Sequence, residues 1–117
     1  MSGHHKEWFF RIEDMLGAIG EIQNSISDHD NALSFYEDLE SFRAVERNIQ
    51  IIAEASKHIP EGIKAQYADI QWREIINMRN LVVHEYKNVD YEVVWLVVSD
   101  KIPIFEEALR FILKDHQ

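Results

Sequence analysis

The segment Phe42-Arg43-Ala44-Val45-Glu46-Arg47-Asn48-Ile49-Gln50-Ile51-Ile52-Ala53-Glu54-Ala55 repeats its apolar residues at the step of an α-helix. Phe42, Val45, Ile49, Ile52 and Ala53 fall three or four residues apart, so they share one face and can turn it toward a core. Leu33 and Leu39 extend the same period upstream, which predicts one helix from about Asn31 to His58. It stops at Ile59-Pro60, because proline disfavours helical backbone at the residue before it, and Gly62 follows.

On either side the pattern is the same. Trp8, Phe9, Ile12, Met15, Leu16, Ile19 and Ile22 predict a first helix from about Lys6 to Ser25. The turn-rich run Ser25-Ile26-Ser27-Asp28-His29-Asp30-Asn31 closes it. A short helical turn is expected at Gly62 to Tyr67. A third helix then starts near Asp69 or Gln71, with Asp69 as its cap, and passes through Trp72, Ile75, Ile76 and Met78. Lys87-Asn88-Val89-Asp90 breaks it, and Asp90 can cap a fourth helix from Tyr91 to about Lys114, in which Pro103 is expected to introduce a kink. No stretch alternates convincingly as a strand does. The predicted fold is therefore all-α, a small antiparallel helical bundle with a kinked C-terminal helix.

Val94, Val98, Ile102, Phe105, Leu109 and Ile112 form one face of that last helix, while Val93, Val97, Ile104 and Phe111 spread onto another. A helix apolar on more than one side needs more neighbours than a four-helix monomer easily provides. The chain is accordingly expected to form a homodimer, the other reading being a central helix well buried within one chain. Phe35, Phe42, Phe105 and Phe111 read as core, and Trp72 and Trp95 as core or interface anchors.

The 117 residues, 46% of them hydrophobic, suffice for one core and are too few for two. Residues 1–117 thus read as one domain with a flexible tip at Met1 to His5, and a large active site would have to be shared with a second copy. The net charge of -9 excludes a broad electrostatic footprint on nucleic acid. It is unevenly spread, however: between Gln71 and Asn88, Arg73, Arg79 and Lys87 face only Glu74 and Glu85, which leaves room for a small phosphate-binding cleft. The absence of cysteine removes disulfides, thiolate metal sites and a thiol nucleophile. No apolar run is long enough for a membrane span and no secretion leader is visible, so a cytoplasmic location without membrane contact is expected. His4 and His5 are not read as metal ligands. Without a P-loop, dinucleotide fingerprint, nucleophile elbow or zinc motif, no cofactor and no metal are predicted.

The chemistry concentrates in Arg79-Asn80-Leu81-Val82-Val83-His84-Glu85-Tyr86. At ~100° per residue, Arg79 and His84 project ~140° apart on a helix, while Asn80 shares a face with His84. The two reach one atom only if the helix ends near His84 or if two copies pool their residues across a dimer axis. For an RNA phosphodiester the roles would be clear. His84 exchanges a proton with the ribose 2′-hydroxyl or the leaving 5′-oxygen. Arg79 grips two non-bridging phosphate oxygens, and Asn80 orients the ring or donates to phosphate. Without further context, such an Arg and His are more often a surface charge and a hydrogen-bonded, part-buried imidazole, and Tyr86 a boundary aromatic. His58 at a helix C-terminus reads as structural, and Glu46 and Glu54 as a pair able to face a cleft or simply solvent.

Three stretches, Phe42 to Ala55, Trp72 to Asn80 and Val83 to Tyr86, resemble the HepT-like group of HEPN-domain proteins, the toxin halves of HepT/MntA toxin-antitoxin modules. That group's R-x4-H-x-Y signature, with a polar residue after the arginine, is matched by Arg79, Asn80, His84 and Tyr86. The resemblance implies a dimerising helical bundle with two motifs facing one cleft, and metal-independent ribonuclease activity carried by Arg79 and His84 with Asn80 assisting. It also implies a partner, a minimal nucleotidyltransferase antitoxin of the MntA kind. This enzyme silences the toxin by transferring AMP to the motif tyrosine, here Tyr86, and larger hetero-oligomers with it are conceivable. A catalytically silent module that binds or regulates such a nucleotidyltransferase is the second reading, and a nucleotide-binding HEPN domain a third.

Overall fold

The computed structural model describes residues 7–84 and 90–117, and of 82–84 the backbone alone. The expected flexible tip, the side chain of His84, and Tyr86 lie outside the described residues. Those residues form seven α-helices: α1 (Glu7–Ile26), α2 (Ala32–Glu37), α3 (Leu39–Lys57), α4 (Glu61–Gln66), α5 (Trp72–His84), α6 (Tyr91–Leu96) and α7 (Ile102–Asp115), with a π turn (Val97–Lys101) between the last two. They contain no strand, as the periodicities predict.

The core is built by matching stripes. Ile12, Met15, Ile19 and Ile22 of α1 are fully buried against α3, whose Val45, Ile49 and Ile52 are equally shielded. Each such side chain gains about 1.5–3 kcal/mol on leaving water, largely offset by the entropy of ordering the chain. α5 packs on the other flank of α3 through Ile75 and Met78, and α7 returns to α1 with Ile102, Leu109 and Ile112 inward. Gln23 of α1 donates to Glu106 of α7 at 2.9 Å. That bond, with Arg110 adding to it, holds the Glu106 carboxyl below its usual range against the opposing effect of burial. At the far end of α7, the Tyr67 hydroxyl donates to Asp115. Burial and this neighbouring carboxylate push the phenol up to about 12.

Four sequence expectations are corrected. The predicted helix from Asn31 to His58 is two helices, broken where Asp38 takes extended backbone (φ -88°, ψ 90°). Asp38 closes α2 by donating its N–H to the Phe35 carbonyl, and caps α3 by accepting from the Ser41 N–H. With the helix broken, Leu33 and Leu39 are half exposed rather than core, and Phe35 is the buried anchor of α2, packed against Phe42 and Trp95. α5 begins at Trp72, so Asp69 lies upstream of the cap position. Phe111, read as core, is 61% exposed.

Pro103 is the second residue of α7, and the disturbance expected there takes the form of the π turn just before it. Proline has no N–H to offer the carbonyl four residues back and its ring crowds it. The wider turn relieves this: Ile102 donates to Val97, and the Ser99 hydroxyl takes up the Trp95 carbonyl at 2.7 Å. Asp90 caps α6 as expected, accepting from the N–H groups of Glu92 and Val93. No described helix is long and apolar enough to cross a membrane.

Candidate active site

α5 carries Arg79 and Asn80 beside its buried stripe. Arg79 is one turn after the buried Ile75, so its inner end is held against the bundle while its tip reaches outward. The Arg79 Nε is shielded from solvent and has no hydrogen-bond partner among the described residues. Its Nη2 donates to the Asn80 Oδ1 at 3.1 Å. Asn80 is exposed, and its contact with Arg79 orients the guanidinium along the helix surface. The helix runs as far as His84, so the backbone positions of Arg79 and His84 stand ~140° apart around one axis. Arg79 and Asn80 are thus brought together.

Opposite Arg79 stands the outer face of α3. Arg43, Glu46, Arg47, Gln50, Ile51 and Glu54 line, together with Arg79, a groove of about 470 Å³. Arg43, Arg47, Gln50 and Glu54 recur at four, three and four residues, the step that keeps side chains on one side of a helix. Glu46 and Glu54 therefore do face a cleft, which was one of the two readings of their spacing. Glu54 is also within 3.6 Å of the Lys57 ammonium and 3.5 Å of His58 Nε2. His58 sits at the C-cap of α3, so its position is the structural one expected.

Arg43 and Arg47 do not stand out in the sequence. Their signal is the four-residue spacing of two arginines on the polar side of α3, but only the packing of α3 against α5 sets them beside Arg79. Asn48 is equally inconspicuous there. It is 1% exposed on the apolar side of α3, donating from Nδ2 to the Ala44 carbonyl at 2.9 Å and to Glu21 at 3.4 Å. Its Oδ1 has no partner among the described residues.

A groove walled by guanidiniums, with one fixed by an amide, can hold a phosphate, because arginine offers a planar fork of donors matched to its oxygens.

Proteins similar in sequence to this chain carry ribonuclease names. The family model described as "Ribonuclease HepT-like" matches residues 12–112. A protein of Thermococcus cleftensis named "Probable ribonuclease HepT" is 36% identical over 88% of this chain and 90% of its own length. Two proteins of Methanocaldococcus jannaschii, each named "Putative RNase", are 31% and 32% identical over 89% of this chain and 88% and 89% of theirs. No solved structure matches.

Proposed function

Because this chain belongs to the HepT-like ribonuclease family, we propose that it is a metal-independent endoribonuclease that cleaves single-stranded RNA in the cytoplasm, working as a homodimer whose two α5 helices pool Arg79 and His84. The observation that carries this is Arg79 itself, half-buried at the wall of the groove, steadied by Asn80 and without a carboxylate partner among the described residues. Such a guanidinium is available for an anion.

The ribose 2′-hydroxyl attacks the adjacent phosphorus, the bond to the 5′-oxygen breaks, and a 2′,3′-cyclic phosphate and a 5′-hydroxyl result. His84 takes the 2′ proton or supplies one to the leaving oxygen. Arg79 offsets the charge that grows on the non-bridging oxygens, with Asn80 holding it in place. The internal nucleophile restricts the reaction to RNA.

In this reading the protein is the toxin of a toxin-antitoxin module of the type II or VII kind. A cognate MntA-like minimal nucleotidyltransferase silences it by transferring AMP from ATP to the Tyr86 hydroxyl, with pyrophosphate leaving. The added phosphate would occupy the Arg79 site and repel RNA. The net charge of -9 favours a second reading, a catalytically silent module that binds or regulates the nucleotidyltransferase.

The test is cleavage of total and transfer RNA in EDTA by protein whose intact mass excludes AMP on Tyr86. Arg79→Ala and His84→Ala are each expected to lower the rate by about 10²–10⁴-fold while leaving the fold intact. Intact RNA after incubation with the unmodified dimer, together with tight binding of a nucleotidyltransferase, would install the second reading instead.

A further inference from the structure

We propose that Arg43 and Arg47 of α3 form a phosphate track that holds single-stranded RNA beside the scissile bond and leads it to Arg79. This rests on the ribonuclease reading of the Arg79 site and specifies how that site engages its substrate. Three of the chain's six arginines line one groove of an otherwise acidic molecule. Among the described residues, none of the three guanidiniums lies within 4.0 Å of a carboxylate, whereas Lys57, Lys64 and Arg110 each do.

The groove's own carboxylates do not cancel this charge. Glu54 is shared with Lys57 and His58, leaving Glu46 to face three cations. Unpaired arginine on a protein surface costs nothing in water, but a row of them repels itself, and a polyanion is what relieves the repulsion.

The geometry suits a single strand. Arg43 and Arg47 are one helical turn apart, ~6 Å along the axis, which is comparable with the step between neighbouring phosphates of an extended strand. Both are exposed, as residues that meet a mobile chain must be, while Arg79 is held more deeply in the same groove. Gln50, three residues beyond Arg47, adds an amide that can hydrogen-bond a 2′-hydroxyl or a base edge. The acidic remainder of the surface acts weakly here, because salt screens charges more than about 8–10 Å apart.

The experiment measures binding and cleavage separately. The binding probe is a fluorescent single-stranded oligoribonucleotide, 2′-O-methylated throughout so that no 2′-hydroxyl can attack, titrated with full-length protein over a range of salt. Arg43→Ala and Arg47→Ala are each expected to weaken binding roughly tenfold. Together they should lower the slope of log affinity against log salt by about 1.4, at ~0.7 for each phosphate that is no longer neutralised. Arg43→Lys and Arg47→Lys should recover most of the affinity, since a point charge still meets a phosphate, and Arg110→Ala should change neither quantity. In cleavage of unmodified RNA the loss should appear in KM rather than kcat.

Unchanged affinity and slope in the alanine variants would overturn the track, even if His84→Ala still abolishes cleavage and so upholds the ribonuclease reading. A loss confined to kcat, or a loss that the lysine variants do not recover, would also overturn it. Arginine-dependent binding by a protein that cleaves no RNA would support the track and remove the ribonuclease reading. Circular dichroism and light scattering on each variant separate these results from misfolding or loss of the dimer.

Discussion

Protonating Asp38 removes acceptors from the point where two helices meet. Its carboxylate receives the Ser41 hydroxyl at 2.8 Å, the Ser41 N–H at 3.2 Å and contact from His29 Nε2 at 3.0 Å. The Ser41 hydroxyl, the Ser41 N–H and His29, in that order, hold its carboxyl below the ordinary value of 3.8. A group whose folded value is depressed stabilises the protein fully above its unfolded value, and the contribution disappears as pH falls through the lower, folded one. The wild type should therefore lose stability as pH drops below about 4. Asp38→Asn should be less stable at neutral pH, and its deficit should shrink as acid is added. Urea midpoints measured against pH check this, and a constant gap between the two proteins would exclude Asp38 from the acid response. The motif residues Arg79, Asn80, His84 and Tyr86 stand out in the bare sequence, because residue type and spacing alone mark them as candidates. Arg43 and Arg47 do not, because a charge on a helix face has no meaning until the helix opposite it is known.

α2 is too short to hold itself together, since isolated helices below about 12–15 residues are marginal in water. Its six residues are kept by the Asn31 side chain, which accepts from the Ser34 N–H, and by Phe35, whose ring reaches Phe42 of α3 and Trp95 of α6. Phe35→Ala should cost about 3–5 kcal/mol, a large part of the roughly 5–15 kcal/mol that holds a domain of this kind folded. Urea unfolding is the measurement, and a loss under about 1 kcal/mol would mean that α2 is not anchored there. Helix existence was legible throughout, because each apolar stripe keeps its period. The break at Asp38 was not, because no proline or glycine marks it and a side chain that caps a helix also passes for an ordinary polar position inside one. Pro103 announced trouble but not its form. A proline states that a hydrogen bond is missing, and the packing on both sides selects between a bend and a wider turn.

The molecule is long for its size, 49 × 25 × 22 Å with a radius of gyration of 14.7 Å. A compact chain of this length would have about 13 Å. A narrow bundle leaves much apolar surface outside, including Ile104 at 72%, Phe111 at 61% and Leu96 at 51% exposure. The surplus on the last helix was readable in the sequence. Its destination was not: periodicity marks a face as apolar without telling a core from an interface, and Phe111 is the case in point. If the proposed dimer builds each site from Arg79 of one protomer and His84 of its partner, mixing and reassociating Arg79→Ala with His84→Ala protein should restore cleavage. One intact site in each mixed dimer, with half the dimers mixed, gives about a quarter of the wild-type rate. A mixture as inert as its components would place both residues on the same protomer.

The π turn has a consequence for the length of the chain itself. One residue more than a regular helical turn needs is accommodated at Val97–Lys101, while helix continues on both sides. Deleting a residue there would keep the inward phase of α6 and α7, although the ordinary turn it leaves would set the Pro103 ring back against the carbonyl that the wide turn frees. The same deletion in the middle of α1 or α3 would rotate half of a buried stripe into solvent. A codon lost at this point is therefore absorbed locally, where one lost within α1 or α3 would disturb the whole core.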